Sequence, residues 1–364
     1  MRIAIATTSY PSEPGDPSGH FVQAHARGLA RSGAEVVVFA PGMSRHGSLS
    51  DFGEPCGSGR LRVVRLGGAA LLSWPGAAAR AREQPLRLAL VPLVAARASR
   101  AIRVEGSRER FDRTIAHWIP CAALFAGGDA PLLVVAHGAD VRLLLRAPGR
   151  VRADVVRRLL ARDARIQFVA TALRDDLRAA LPPGLGDALA GRSFVEAAPF
   201  ELPKADTLGD PRADLGLRQD APYVAWLGRL VPDKRPWLAM EAARLCGTTL
   251  VIVGDGPLYD GIATASSGSQ VVFAGRLPRD RAIAVMSRAS AVLHTSAKEG
   301  ASTVVREARA LGVPVVACAS GDLEIWARHD DGISIADADA PAIARALARA
   351  FTSVRSVAHH GGPS

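Results

Sequence analysis

Two glutamates, Glu299 and Glu307, are separated by seven residues in the stretch HTSAKEGASTVVRE that begins at His294. Between them Gly300, Ala301, Ser302 and Thr303 read as a turn that opens a helix near Ser302. A helix start leaves backbone N–H groups without intrahelical partners and carries the positive end of the dipole, so it attracts anions. With a carboxylate on each flank, the stretch suits a ligand with phosphate in its middle and hydroxyls at both ends. A sugar nucleotide has that form. An ordinary surface helix with two solvated glutamates has the same pattern, so other segments must decide.

The second segment lies upstream. The apolar run Tyr223 to Leu227 reads as a strand and breaks into Gly228, Arg229, Leu230, Val231, Pro232, Asp233 and Lys234. Arginine offers a planar fork and lysine a compact point charge, so Arg229 and Lys234 together can grip a pyrophosphate and stabilise it as it departs. The chain has 45 lysines and arginines, yet its lysines are only Lys204, Lys234 and Lys298, and two of these fall in the two segments described. A solvated turn is the plainer alternative for this segment taken alone.

In order and spacing these elements resemble the retaining glycosyltransferases of family 4, the glycosyl transferases group 1, over nearly the whole length. The family's Gly-Arg-x4-Lys looks like Gly228, Arg229 and Lys234. Its Gly-x-Gly-Pro looks like Gly254, Asp255, Gly256 and Pro257 after the strand Leu250 to Val253, and its Glu-x7-Glu is Glu299 and Glu307. Val271, Phe273 and Gly275 resemble the strand and turn where such enzymes seat the nucleotide base, through backbone groups beside Arg276. The resemblance implies the GT-B fold, two Rossmann-like α/β domains facing a central cleft. It implies transfer of a hexose-type sugar, with retention, from a nucleoside diphosphate sugar to an acceptor hydroxyl on a glycan, a lipid-linked molecule or a small molecule. Glu299 would bind donor-sugar hydroxyls, Glu307 the ribose, and Arg229 and Lys234 the diphosphate. The sugar nucleotide is a substrate, and no cofactor is implied. Two alternatives stay open: a sugar-nucleotide epimerase or phosphorylase of the same fold, and a non-catalytic binder of nucleotide or glycan. Where relatives carry an Asn-Gly-x-Asp turn, this chain has Ala197, Ala198, Pro199, Phe200 and Glu201.

The amino-terminal half agrees from local physics. Arg2 to Thr8 is an apolar strand, followed by a Pro/Gly/Ser loop through Gly19 and a helix from about His20 to Arg31. Glycine at such a junction lets backbone approach a ligand closely, and the helix start can face phosphate. Gly19 resembles the family's donor-loop glycine, although Ser18-Gly19 stands where relatives have a glycine pair. His117 and His137 come at the ends of predicted strands, where open α/β sheets present their ligand sites. The family's corresponding histidine contacts the donor sugar, a role carried here to His137. His117 either supports the acceptor side or packs locally. Asp140 either binds an acceptor hydroxyl or caps the helix containing Val141 to Leu145.

These residues need a scaffold. At 364 residues the chain exceeds the size at which single cores stop growing, so two domains are expected. Short apolar strands alternate with amphipathic helices, with Glu35 to Phe39 and Val313 to Ala317 as examples, which indicates parallel sheets covered on both faces. The expected division is an acceptor-side domain at 1–199, a linker at 200–220 rich in Pro, Asp and Gly, a donor domain at 221–352, and a tail at 353–364 whose end, from His359, is disordered.

The net charge of +10 invites a nucleic-acid partner, but the arginines are spread along the chain among acids, and no basic block or nucleic-acid motif is present. An anionic membrane surface or a phosphorylated acceptor explains the charge at least as well. Arg80 to Arg103 mixes arginines with leucines and valines and is interrupted by Pro92, which favours a core-facing helix pair over a membrane-surface helix. No apolar run approaches a transmembrane span and the amino terminus shows no signal peptide, so a cytoplasmic protein, peripheral at the inner face of the membrane at most, is expected. Cys56, Cys121, Cys246 and Cys318 lack metal-ligand spacing. Asp337 and Asp339 mimic a cation-binding Asp-x-Asp, but they precede a helix, where acids cap. No metal site is expected.

Overall fold

The computed structural model describes residues 1–11, 19–42, 54–56, 58–68, 86, 91–124, 128–203, 208–266 and 270–359. The chain divides into two compact units, Met1–Glu201 and Leu202–Ser364. Each is an α/β sandwich built on one sheet.

In the first unit the strands are β1 (Arg2–Ala6), β2 (Glu35–Gly42), β3 (Glu54–Cys56), β4 (Gly59–Gly68), β5 (Arg113–His117), β6 (Leu132–Ala136), β7 (Arg165–Phe168) and β8 (Ser193–Val195). They lie in the order β3-β4-β2-β1-β5-β6-β7-β8, parallel except for the β3–β4 pairing. Because both faces are covered, the central strands carry apolar residues at successive positions, as in Ile3, Ala4 and Ile5 and in Val36, Val37 and Val38. The helix His20–Arg31 buries Val22, Ala26 and Ala30, spaced four apart on one stripe.

The second unit holds β9 (Tyr223–Leu227), β10 (Thr249–Val253), β11 (Val271–Gly275), β12 (Ala291–His294), β13 (Val315–Cys318) and β14 (Ile333–Ala336), in the order β11-β10-β9-β12-β13-β14. Successive strand residues point to opposite faces. Val224, Trp226, Leu250 and Ile252 therefore pack against Ala239, Ala242, Ile343 and Leu347 of the helices Pro236–Cys246 and Ala340–His359. Tyr223, Ala225, Val251 and Val253 pack against Ile283, Met286, Val305 and Ala308 of the helices Arg279–Ser287 and Thr303–Ala310. Each fully buried Val, Leu or Ile of this kind stabilises the fold by roughly 1.5–3 kcal/mol.

Both sheets contain a point where sequence order reverses, and a ligand crevice opens beyond the strand carboxyl ends at such a point. In the first unit it falls between β1 and β5, and in the second between β9 and β12. The glycine-arginine-lysine loop follows β9 and the two-glutamate stretch follows β12, so the fold sets them side by side.

Several boundaries differ from the sequence expectations. The first strand ends at Ala6 rather than Thr8, and the second runs on to Gly42. Val91–Arg108 is one core-facing helix with Ala95, Ala98 and Ile102 buried; Pro92 does not interrupt it, because a first-turn residue has no intrahelical N–H bond to lose. The rest of the Arg80 to Arg103 stretch lies outside the described residues, apart from Leu86. Within the stretch read as a linker, Leu208 is buried and Leu202, Leu215 and Leu217 sit against the core of the second unit. The last helix continues through His359, since no glycine or proline stops it before Gly361, and residues 360–364 lie outside the described set.

Candidate functional site

In the second unit the loops that follow β9, β10 and β11 lie backbone on backbone. Gly228 N donates to Val253 O at 3.0 Å, Leu230 N to Asp255 O at 2.9 Å and Gly254 N to Gly275 O at 2.8 Å. Gly254 has φ +138°, and a Cβ there would meet Gly228 O at 1.9 Å, so only glycine permits this contact. Gly256 lies in the same turn, where Leu258 N reaches Leu230 O at 3.1 Å.

The β12 loop is stitched to the turn after β9. Thr295, fully buried, accepts from Trp226 Nε1 at 3.0 Å and shares its own proton between Lys234 O at 2.8 Å and Arg235 O at 3.0 Å. Ala297 N donates to Asp233 O at 2.8 Å. These bonds place Lys234, in the short 3₁₀ turn Pro232–Lys234, against Glu299, and the two form an ion pair. Glu299 also accepts from His294 Nε2, 3.2 Å away. Burial alone would push the Glu299 carboxyl up, but the Lys234 ammonium and the His294 bond outweigh it and hold the group well below the ordinary carboxylate range. Because a carboxylate only accepts, His294 carries its proton on Nε2, which also lies 3.0 Å from Ser302 Oγ. Ser302 is buried and caps the helix Thr303–Ala310, accepting from Val305 N. Gly300, Ala301 and Thr303 complete the turn, with Gly300 buried.

Glu307, in the second turn of that helix, is buried, and its Oε1 lies 2.5 Å from Arg279 Nη2. Burial pushes its carboxyl up, while Arg279 and Arg306 act against that shift. Arg229 and Arg276 are exposed on the turns after β9 and β11. The structure thus brings Lys234, Glu299, Ser302 and the helix start into one patch and seats Glu307 one turn further along. Sequence reasoning missed His294 and Arg279. His294 sat at a strand end like His137, and Arg279 follows Pro278 at a helix start, so both had a local signal.

In the first unit, Gly19 has φ +67° and its carbonyl accepts from Val22 N at 2.9 Å and Gln23 N at 3.1 Å, starting the helix His20–Arg31. Ser18 lies outside the described residues. His117 ends β5 and His137 directly follows its neighbour β6, and the two rings stack with centroids 5.0 Å apart. Phe21 and Trp118 also flank the His137 ring, at 4.5 and 6.1 Å. Trp118 has φ +87°, a left-handed conformation uncommon for a bulky residue, of the kind that clusters at functional sites.

Asp140 is buried: Oδ1 accepts from His137 N at 3.0 Å and Gly138 N at 2.9 Å, and Oδ2 accepts from Ile119 N at 3.0 Å. It ties the two histidine-bearing turns together. Burial pushes its carboxyl up against the pull of these backbone donors. His117 is likewise buried and packs on His137 and His25 rather than opening to solvent.

Among the described residues no group of three or more His, Cys, Asp or Glu could hold a metal ion. Asp339 Oδ1 accepts from Ala342 N at 2.9 Å, as a helix-start acid does. Cys246 and Cys318 are free thiols, and the side chains of Cys56 and Cys121 lie outside the described set. No helix among these residues is long and apolar enough to cross a membrane.

Two Rossmann-like units, each with a site at the reversal point of a parallel sheet, define the GT-B fold. The structure aligns with sucrose-phosphate synthase from Thermosynechococcus elongatus with a TM-score of 0.72 over 97% of this chain and 90% of that one, at 19% identity. It aligns with Anabaena HepE in complex with UDP with a TM-score of 0.63 over 98% and 91%, at 17% identity. At such identities the likeness concerns the fold alone. Residues 221–353, most of the second unit, match the family glycosyl transferases group 1. The chain is similar to D-inositol 3-phosphate glycosyltransferase of Mycolicibacterium gilvum (strain PYR-GCK), 35% identical over 133 residues, and of Mycobacteroides abscessus, 37% identical over 125 residues. These alignments cover 34% and 31% of this chain and 30% and 28% of the relatives, so the chain spans less than a third of the curated relatives it matches.

Proposed function

We propose that the protein is a retaining glycosyltransferase that moves a hexose-type sugar from a nucleoside diphosphate sugar to an acceptor hydroxyl on a glycan, a lipid-linked molecule or a small molecule. The observation that carries this reading is the meeting of Lys234 and Glu299 beside the Ser302-capped helix start, from loops that follow adjacent strands. Cation, carboxylate and free backbone amides in one patch suit the two halves of a sugar diphosphate. Lys234, Arg229 and the amides at Ser302 and Thr303 hold the diphosphate and stabilise the charge that develops as the anomeric C–O bond breaks. Glu299 binds donor-sugar hydroxyls, Glu307 binds the ribose, and the turns at Gly254, Gly256 and Arg276 seat the nucleotide. In the first unit, His137 is the candidate for contact with a sugar hydroxyl and Gly19 for close backbone approach to a ligand. The acceptor oxygen bonds to the face the diphosphate leaves, and its proton passes to the departing diphosphate oxygen. The family match, the relatives named as glycosyltransferases and the likeness to a UDP complex support this reading.

The test incubates purified protein with UDP-, GDP- and ADP-hexoses and mixed glycan, lipid and polyol acceptors, and follows products by mass spectrometry and NMR. A glycoside with the donor's anomeric configuration supports the proposal. An inverted product refutes retention, and conversion of free donor to an epimer without acceptor refutes the transferase.

A further inference from the structure

His117 Nδ1 lies 2.7 Å from His137 Nε2, with the rings nearly parallel at 13°. One proton lies between those nitrogens, and two neutral imidazoles can place it in two ways. If His137 Nε2 carried it, His117 would carry its own proton on Nε2. That atom is buried and has no hydrogen-bond partner, so it would be an orphaned donor, a costly and rare feature. If His117 Nδ1 carries it, His117 Nε2 is a bare lone pair and His137 must hold its own proton on Nδ1. The second arrangement leaves no buried N–H unpaired in the pair.

We propose that His117 is a positioning residue: it donates from Nδ1 to His137 Nε2 and so fixes His137 as the neutral Nδ1–H form, which presents an N–H donor to a hydroxyl oxygen of a sugar ligand. The role in transfer rests on the sugar-nucleotide reading above; the proton placement does not. Three further features hold the arrangement. Asp140 ties the turns carrying the two rings together, and Phe21 and Trp118 box the His137 ring. Both imidazoles stay neutral: burial, reinforced by neighbouring histidines, depresses His117 far below its usual range and His137 to about 3. One mechanistic consequence follows. With its Nε2 lone pair engaged, His137 cannot take the proton of an acceptor hydroxyl without breaking the pair, so it orients ligand and is not the general base.

The experiment is imidazole NMR of the full chain labelled with ¹⁵N-histidine, without ligand near neutral pH, with the His137 signals assigned by their loss in His137→Asn. A pyrrole-like Nδ1 and a pyridine-like Nε2 are expected for His137; the reverse pattern overturns the proposal. His117→Asn keeps an N–H near the Nδ1 position and should preserve that pattern. His117→Leu removes the donor, should release His137 into the other tautomer, and should lower kcat about tenfold with little change in nucleotide KM, a loss that His117→Asn largely restores. Unchanged tautomer and kcat in His117→Leu overturn the proposal. If His117→Leu fails to fold, the wild-type spectrum still decides. If the wild type transfers no sugar, the function proposed above fails while the spectrum judges the tautomer on its own.

Discussion

Mild acid should loosen the first unit, because its buried histidines are kept neutral. His117 and His137 have folded-state pKa values depressed by burial, that of His137 to about 3, whereas an unfolded histidine titrates near about 6.5. Between those values the unfolded chain binds protons that the folded one does not, so their stabilising effect is complete above about pH 6.5 and is lost as pH falls. From about pH 7 to about pH 5 His137 alone costs roughly 2 kcal/mol, and His117 adds to the loss in the same direction, against a typical domain stability of about 5–15 kcal/mol. His25, also depressed by burial, acts in the same direction. Asp140 works in the opposite sense, since burial pushes its carboxyl up. The assay is amide hydrogen exchange at Ile115, Val134 and Val135, buried in β5 and β6, corrected for the intrinsic pH dependence of exchange. The opening free energy should fall by more than about 2 kcal/mol in wild type and by less in His117→Asn, which has one titrating group fewer. A fall below about 1 kcal/mol in wild type, or an equal fall in the variant, would refute the reasoning.

Lys234→Ala should lower turnover about a hundredfold while weakening nucleotide binding far less, because the ammonium matters most as charge develops on the diphosphate; steady-state kinetics showing equal losses in both would count against that role. Gly254→Ala forces a Cβ onto Gly228 O, 1.9 Å away, at φ +138°, and should destabilise the second unit by about 3 kcal/mol or more, seen as a lowered Tm that nucleotide does not rescue. If Lys234, Arg229 and the helix-start amides hold the diphosphate as proposed, transfer should survive EDTA. Complete loss with full rescue by Mn²⁺, abolished in an Asp337→Ala, Asp339→Ala double variant, would overturn that expectation.

The candidate donor-side segments were legible as strand-turn-helix elements because their pattern is local. Gly228 to Lys234 and Glu299 to Glu307 each lie within one strand-turn-helix segment, and residue type with spacing announces an anion site. Their meeting was not legible. Lys234 and Glu299 are 65 residues apart, and only the strand order β9 beside β12 brings them together. The same holds for Arg279 and Glu307, joined across two helices packed on one sheet face. Asp140 shows the limit most clearly. Its neighbours in sequence left capping and ligand binding open, and the decisive partner, Ile119 N, arrives from the turn after a different strand. Pro92 misled for a simpler reason, since whether proline breaks a helix depends on a start position that local composition does not define.

The account's central claim is that the loops after β9 and β12 bind a nucleoside diphosphate. Calorimetric titration of the wild type and of Glu307→Ala with UDP, GDP and ADP tests it most directly. One of the three should bind the wild type saturably at one site per chain, and Glu307→Ala, shown folded by circular dichroism, should bind it at least about tenfold more weakly. Absence of binding by all three, or equal affinity in the variant, would contradict the claim.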